Sequence, residues 1–536
     1  MMPIGFIKGK FNLSAYNPLM KNLSTVLDYH NRTKHHSHKY AASLGYMDWE
    51  TQPNPFRTYH GTPSIPLVFS HIDPPYHLLF QPDGLPGAPT CLESLSHLLR
   101  YSLGLAAWKQ QGASSWALRC NASSGNLHPT ECYVIAPPTP GLSESYTLTH
   151  YAPKTHTLEV LHTFDTPVEG MGKNGYLVII SSVIWREAWK YGERCWRYCQ
   201  LDAGHAQEAL RLSAKSLGWN STLMSADTSQ LAKVCGLDQL DRFHADELES
   251  ADMLLWISPE EVPTALTLPS TPQLASKANV LSPSHHPWPI LAVIDEATQG
   301  SYIPSKPLMT NRMVPEPSRG SAEIFLKRRS AQAMDSSSIT KEQFVQLLDS
   351  CDDLHDTPDV HFVLFVHRVI GMESGLYLFV RNSDELSALR ESMSPDYDWK
   401  PQDVLGNRLF LLRAGDYRGS AKMISCNQDI AKESAFSMGM LCRFASTLED
   451  NGAYGYKHLY HECGALGQML YCEATTMGLS ATGIGCFLDD EVHRLLGITN
   501  ERYQSLYHFT IGRAIVDTRL ATLEPYAHLN PLFEHL

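Results

Sequence analysis

Two stretches of this chain decide its fold: LDAGHAQEALRLSAKSLGWNSTLMS (201–225) and HECGALGQMLYCEATTMGLSATGIG (461–485). Set one under the other without gaps, Gly204 meets Gly464, Leu210 meets Leu470, Gly218 meets Gly478 and Thr222 meets Thr482, at a constant offset of 260; Asp202 meets Glu462. In both copies apolar residues recur at helical spacing and the pattern stops at a glycine. That is the signature of a buried helix closed by a residue free to turn left-handed. Each copy then runs into a second small-residue segment, Cys235-Gly236-Leu237 or Leu496-Gly497-Ile498. A repeat of this length means one supersecondary unit used twice.

Working outward, each half has a strand before a tyrosine-bearing hairpin (146–151 and 376–380) and a closing strand (253–257 and 507–511). Apolar runs at 132–135, 177–184 and 361–369 also read as strands, and helices are expected at 94–110, 341–349 and 430–447. Helices mixed with strands that do not strictly alternate with them indicate an α+β fold. Residues 259–320 hold eleven of the 33 prolines. Proline removes backbone donors and breaks periodicity, so this segment reads as an extended connector, free or laid across the surface as a strap. The expected division is a first domain at 1–258, the Pro-rich strap at 259–320 and a second domain at 321–536.

A chain of 536 residues with 43% hydrophobic and 18% charged residues is long enough for two cores and has the balance of a globular protein. Its formal net charge of −13 excludes an overall basic footprint for nucleic acid. The apolar runs are strand-sized, far short of the ~20 residues a membrane-spanning helix needs. The start of the chain carries no signal-peptide pattern. The twelve cysteines are scattered without a CxxC pair, which argues against zinc ribbons and a disulfide framework and fits a reducing cytoplasm. His35, His36 and His38 lie in a polar stretch with no carboxylate or cysteine to complete a ligand set, so no metal site is expected.

Four segments carry chemistry. In LRCNASSGNLHPTECYVI (118–135), small residues and Gly125 let backbone approach a flat ligand, while Ser123, Ser124 and Asn126 offer hydrogen bonds; the plain alternative is a Gly-Asn turn. In LKRRSAQAMDSSSIT (326–340), Arg328, Arg329 and Ser330 form a ready anion site; taken alone, such a triplet is an ordinary solvated face. In MGLSATGIGCFLDD (477–490), the loop Thr482-Gly483-Ile484-Gly485 presents backbone amides to a ring edge, or is merely a helix-to-strand turn. In TIGRAIVDTRL (510–520), Arg513 and Arg519 follow a strand end and are either phosphate ligands or exposed.

Taken together and in this order, the segments resemble the nitroreductase superfamily, specifically its SagB-type dehydrogenase or thiazoline/oxazoline oxidase branch. That branch has motifs of the form RRSxR, PSxGxLxP, KYGxRxYR, GLxATGIG and GxPxDxR. This chain shows Arg328-Arg329-Ser330, Ser123-Ser124-Gly125-Asn126-Leu127-His128-Pro129, Lys190-Tyr191-Gly192-Glu193-Arg194-Cys195-Trp196-Arg197, the run from Gly478 to Gly485, and Gly512 with Asp517 and Arg519. Two positions depart: Gln332 stands where RRSxR ends in a basic residue, and Ala122 where PSxG has proline.

The resemblance implies two fused nitroreductase-like domains forming an intramolecular pseudo-dimer, a monomer holding FMN between its halves. The second half would bind phosphate through Arg328, Arg329, Ser330, Gln332 and Arg519, and face the ring with Thr482, Gly483, Ile484 and Gly485. The first half would cover the ring with Ser123, Ser124, Gly125 and Asn126, and Arg119 would balance charge on the reduced ring. The other composite site reads as decayed, since Leu223 and Ser225 replace Gly483 and Gly485; residues 56–59 read as a remnant phosphate motif. Lys190 and Tyr191 are the candidate catalytic pair, with Arg194 and Arg197 to depress the lysine and Trp189 and Trp196 as apolar walls. The segment AYGYKHLY (453–460) reads as their second-half counterpart; His128 and His205 are candidates to line the cleft. The implied activity is that of an FMN-dependent oxidoreductase transferring hydride between flavin N5 and a small organic or peptide-borne substrate, with dehydrogenation of an azoline-type ring in a modified peptide as the version the Lys-Tyr pair favours. The alternatives are NAD(P)H-driven reduction of nitro or quinone compounds, and a scaffold within a biosynthetic complex.

Overall fold

A computed structural model describes residues 18–81, 84–263, 265–301, 319–354 and 358–530. Two seven-stranded antiparallel sheets, one per half, share the order of six strands and differ in the edge strand, which comes first in its half in one sheet (Ser64–Pro66) and third in the other (Lys400–Pro401). The first runs Ser64–Pro66, Thr157–Thr163, Thr147–Ala152, Thr130–Ala136, Tyr176–Val183, Glu249–Ser258, Asn220–Met224. The second runs Lys400–Pro401, Leu409–Ala414, Gly375–Phe379, Val360–Val366, Phe436–Cys442, Gln504–Gly512, Ser480–Ile484. The inner strands are buried on both faces, which is why they read as continuous apolar runs rather than as alternation.

The offset of 260 extends well beyond the stretch that reveals it. Helices Ile184–Tyr191 and Phe444–Asn451 start 260 residues apart, and each is closed by a glycine, Gly192 (φ 56°, ψ −133°) and Gly452 (φ 61°, ψ −156°). An L side chain is excluded there. Hence Lys190-Tyr191 corresponds to Asp450-Asn451, and not to the segment 453–460 that sequence reading selects. The long helices Cys195–Ser216 and Tyr454–Thr476 follow, and both chains then turn at left-handed glycines, Gly218 and Gly478.

These two helices pack side by side, in register, at the centre of the molecule. Trp196 stacks on Tyr456 with centroids 5.5 Å apart and planes 8° from parallel, and the two residues are repeat equivalents. His461 hydrogen-bonds Gln200 Oε1 at 2.7 Å. A methyl group on Gly204 would overlap the His461 carbonyl, and one on Gly464 would overlap the Leu201 carbonyl. Leu201 and His461 are again equivalents, so the two contacts are related by a pseudo-twofold. The repeat keeps glycine at 204 and 464 because the helix backbones touch there.

Further contacts lock the lobes. Near the end of the chain, Ala521–Leu523 adds an antiparallel strand to Leu105–Gln111 of the first half. Arg194 and Arg197 on the first-half helix both bind Asp489 of the second half, at 2.9 and 2.8 Å. The described part of the Pro-rich segment is a strap on the first lobe: Lys277–Ala278 pairs with Tyr59–His60, and the Leu281 and Ser282 amides donate to the Glu247 carboxylate. It also contains a helix, Pro289–Ala297, that begins on its proline.

Two expected helices are corrected. The segment 94–110 is a helix only over Leu92–Ser102 and then a strand, Leu105–Gln111. The segment 430–447 is a short helix, a buried strand (Phe436–Cys442) and a second helix. In the second case the wholly buried strand carries no period of two to distinguish it from a helix; in the first, the apolar start of Leu105–Gln111 continues the preceding helical pattern without alternation.

Candidate functional site

A cleft of about 830 Å³ lies between the lobes. The first half contributes Arg119 and the loop Ser123-Ser124-Gly125-Asn126; the second contributes Arg328, Arg329, Ser330, Gln332 and the loop Thr482-Gly483-Ile484-Gly485. Tyr191, His128 and His205 also line it. None of residues 259–263 or 265–301 does, so the described strap lies away from the opening.

The first-half loop is a strained turn. Gly125 (φ 58°), Asn126 (φ 60°) and His128 (φ 53°) are all left-handed, a conformation that non-glycine residues adopt only when their surroundings hold them there. The holding contacts are visible. Asn126 donates Nδ2 to the Ala117 carbonyl at 2.9 Å, and the His128 amide donates to Ser123 Oγ at 2.8 Å. Ser124 donates both its amide (3.0 Å) and its hydroxyl (2.9 Å) to Asp202. Asp202 is fully buried on the central helix; burial pushes its carboxyl up to about 7, against the hydrogen bonds from Ser123 and Ser124.

At the opposite wall three cations gather. Arg328 donates to the carbonyls of Cys120 (2.7 Å) and Arg119 (2.9 Å) in the first half and lies over the Tyr471 ring at 5.1 Å. Arg329 donates to the carbonyls of Leu326, Arg328 and Ala106, and burial, then Arg328, lowers it to about 10. Lys109 from the first half, lowered by burial and then by Arg329, completes the group. Among the described residues none of the three pairs with a carboxylate. Uncompensated positive charge in a recess is what an anionic group requires. Ser330 Oγ lies 2.7 Å from the Tyr471 hydroxyl, which in turn accepts the Gly483 amide at 2.9 Å. The phosphate-type motif and the glycine loop are thereby tied to one tyrosine.

The glycines are required by space. A methyl on Gly483 would overlap the Tyr507 hydroxyl, and one on Gly485 would overlap the Tyr198 ring. A Cβ on Gly125 would lie 2.6 Å from Tyr191 Oη and 3.2 Å from Lys190 Nζ. Lys190 and Tyr191 thus converge on the serine-glycine loop, with Lys190 Nζ 5.2 Å from the Tyr191 ring centroid. Tyr191 lines the cleft and Lys190 stands behind it. Burial, then Glu187, holds the Tyr191 phenol well above its ordinary value.

Several expectations are not met. Arg519 does not line the cleft: its guanidinium turns onto Asp517, two residues back, and its side chain is 76% exposed. Arg194 and Arg197 are spent on Asp489 and Trp196 on Tyr456, so these three do not surround Lys190. Trp189 hydrogen-bonds Thr51 Oγ1 on the far side. Arg57 is sealed between Glu247 and Glu249 rather than beside a cleft. In the pseudo-symmetric position, Glu462 is engaged by Arg381 at 2.9 Å and by the Asp359 amide. Arg119 lines the cleft, but donates its guanidinium to the Pro55 and Thr130 carbonyls.

Sequence reading missed Lys109 and Tyr471, which reach the site from across the lobes. It missed Glu187, buried with neither carboxylate oxygen bonded among the described residues and raised well above its ordinary value by burial and then by Asp202. The acidic match of Asp202 with Glu462 was the available signal for Asp202.

Residues 326–513 match the Nitroreductase family model. A crystal structure titled "putative nitroreductase" from Anabaena variabilis ATCC 29413 superposes with a TM-score of 0.67 at 23% identity, covering 92% of this chain and 99% of that one. The fold is that of the nitroreductases, present twice. The curated "Putative nitroreductase MJ1384" of Methanocaldococcus jannaschii is 20% identical over 205 residues, 36% of this chain and 90% of its own length. A structure of a nitroreductase-titled protein from Ralstonia eutropha JMP134 covers 40% of this chain at 17% identity, with a TM-score of 0.28. The nitroreductase match by sequence therefore falls on the second lobe, while the Anabaena likeness spans both. No helix among the described residues is long and apolar enough to cross a membrane.

Proposed function

We propose that the cleft holds one FMN and that the chain is an FMN-dependent oxidoreductase acting on an organic or peptide-borne substrate. One observation carries this reading: the serine-glycine loop of one lobe and the arginine and glycine motifs of the other face a single cleft. The donor set fits the cofactor. Lys109, Arg328 and Arg329, which have no carboxylate partner among the described residues, supply positive charge for a phosphate, with Ser330 and Gln332 beside them. The glycines at 125, 483 and 485 let Tyr191, Tyr507 and Tyr198 close up against the two loops that face the cleft. Asn121 Oδ1 and Arg119 Nε, on residues of the cleft wall, are buried with no partner among the described residues.

When bound, FMN supplies two-electron chemistry by hydride exchange at its ring. The chain's own residues do the rest. Asp202 fixes the Ser123-Ser124 turn. Tyr191 Oη, protonated at neutral pH, offers a proton or hydrogen bond at the cleft wall, and Lys190 sits within reach to restore it. The second lobe has Asp450-Asn451 at the equivalent place, so the Lys-Tyr pair belongs to one composite site. Dehydrogenation of an azoline-type ring would require Lys190, in its neutral form, to accept the proton that is lost as hydride leaves, and the SagB-type motif order favours this activity over NAD(P)H-driven reduction.

The purified chain is expected to show flavin absorption and release FMN on denaturation; a colourless chain that takes up no added FMN would overturn the reading. Lys190→Ala is expected to keep FMN and lose turnover. Anaerobic bleaching by an azoline peptide, or by NAD(P)H instead, separates the two activities.

A further inference from the structure

Of the twelve cysteines, nine are buried and three, Cys91, Cys426 and Cys486, are half-exposed. Two of those three meet. Cys426 and Cys486 come from segments sixty residues apart, and their Sγ atoms lie 2.9 Å from each other. Cys486 directly follows Gly485 and lines the cleft. Cys426 sits in a left-handed conformation (φ 53°) beside a left-handed Asn427 (φ 59°). That tight turn points it at its partner. The surroundings are those of a reactive thiol. His35 lies beside Cys486, and Tyr40 beside Cys426. Fully buried Arg194 donates to the Gly485 carbonyl at 3.2 Å. The neighbouring Cys426 sulfur, opposed by burial and aided by His35, brings Cys486 down to about 5.

A second pair serves as contrast. Cys442 and Cys463 lie 3.5 Å apart, wholly buried, and burial drives Cys442 well above the ordinary thiol value. Proximity alone therefore does not distinguish Cys426–Cys486; exposure and the place of Cys486 on the cleft wall do.

We propose that Cys426 and Cys486 form a redox-active dithiol at the cleft rim whose substrate is a small-molecule disulfide. The Cys486 thiolate attacks one sulfur of RSSR; an S–S bond forms to Cys486 as the RSSR bond breaks and RS⁻ leaves. Cys426 gives up its proton and attacks Cys486 Sγ, expelling the second RS⁻. The chain's two cysteines are oxidised to one disulfide and RSSR is reduced to two RSH; the Cys426 proton ends on one leaving thiolate and a proton from solvent, released when Cys486 ionised, on the other. Excess RSH reverses the exchange.

The test uses the full chain and glutathione disulfide, with thiols counted after acid quenching and linkages mapped by mass spectrometry. Each chain is expected to release two equivalents of glutathione and to carry a Cys426–Cys486 bridge, with Cys442 and Cys463 still free. Cys426→Ser is expected to release one equivalent and to hold one glutathione on Cys486. Cys91→Ser is expected to behave as the unaltered chain. One equivalent of iodoacetamide, added first, is expected to label Cys486 and suppress release in the unaltered chain, which requires no variant to fold. Absence of release, a stable mixed disulfide in the unaltered chain, or a bridge between other cysteines would overturn the assignment. The readout is thiol chemistry and is independent of whether FMN is bound.

Discussion

Replacing Arg329 with alanine removes a guanidinium that faces the cleft without a carboxylate partner among the described residues. In the unliganded protein this group is costly, because burial lowers it to about 10. Its neighbours Arg328 and Lys109 repel it rather than relieve it. A bound phosphate reverses that balance by charge-assisted hydrogen bonds, each worth about 1.5–3 kcal/mol. Losing one such contact weakens FMN binding by roughly 10- to 150-fold, since 1.4 kcal/mol is about a factor of ten. Riboflavin, which has the ring but no phosphate, is the control. Fluorescence titration of the apoprotein is expected to show Arg329→Ala losing FMN affinity by that factor and riboflavin affinity hardly at all. Equal losses for both ligands, or none for FMN, would refute the phosphate assignment.

Other outcomes follow from the same geometry. Gly464→Ala places a methyl against the Leu201 carbonyl and is expected to cost about 1–3 kcal/mol of stability, read as a lowered thermal midpoint; an unchanged midpoint would mean the helices have room to separate. Asp202 has a folded-state value near 7 against an ordinary 3.8, so its contribution to stability is full below about pH 4 and is lost as pH rises through about 7. Asp202→Asn is expected to flatten that decline in thermal midpoints between pH 5 and pH 8; parallel curves for variant and parent would count against it. Arg519→Ala, whose guanidinium is turned to Asp517, is expected to leave FMN content unchanged, and loss of flavin would restore it to the site.

What the sequence discloses depends on whether a residue's constraint is local. Gly204, Gly464, Gly218 and Gly478 are legible because backbone contact or a left-handed turn admits nothing else, and the constant offset ties them into one repeat. The site loops are legible for the same reason: serines, glycines and arginines clustered in a few positions have few other uses. Strands such as Phe436–Cys442 are not, because full burial erases their alternation. The cation at Lys109, the acid at Glu187 and the tyrosine at Tyr471 gain their meaning from partners on other segments, which no local pattern displays. Arg519 misleads in the opposite way, since a motif position does not reveal that Asp517 will capture its side chain.

The proposed FMN site draws on both lobes. The direct measurement is the number of flavins per 536-residue chain, from absorbance of released FMN against protein concentration, in the parent and in Ser124→Trp. One FMN per parent chain, lost when this first-lobe serine is changed although the phosphate motif lies in the second lobe, is the expected result. Two FMN per chain, or one that survives Ser124→Trp, would contradict a single site shared between the lobes.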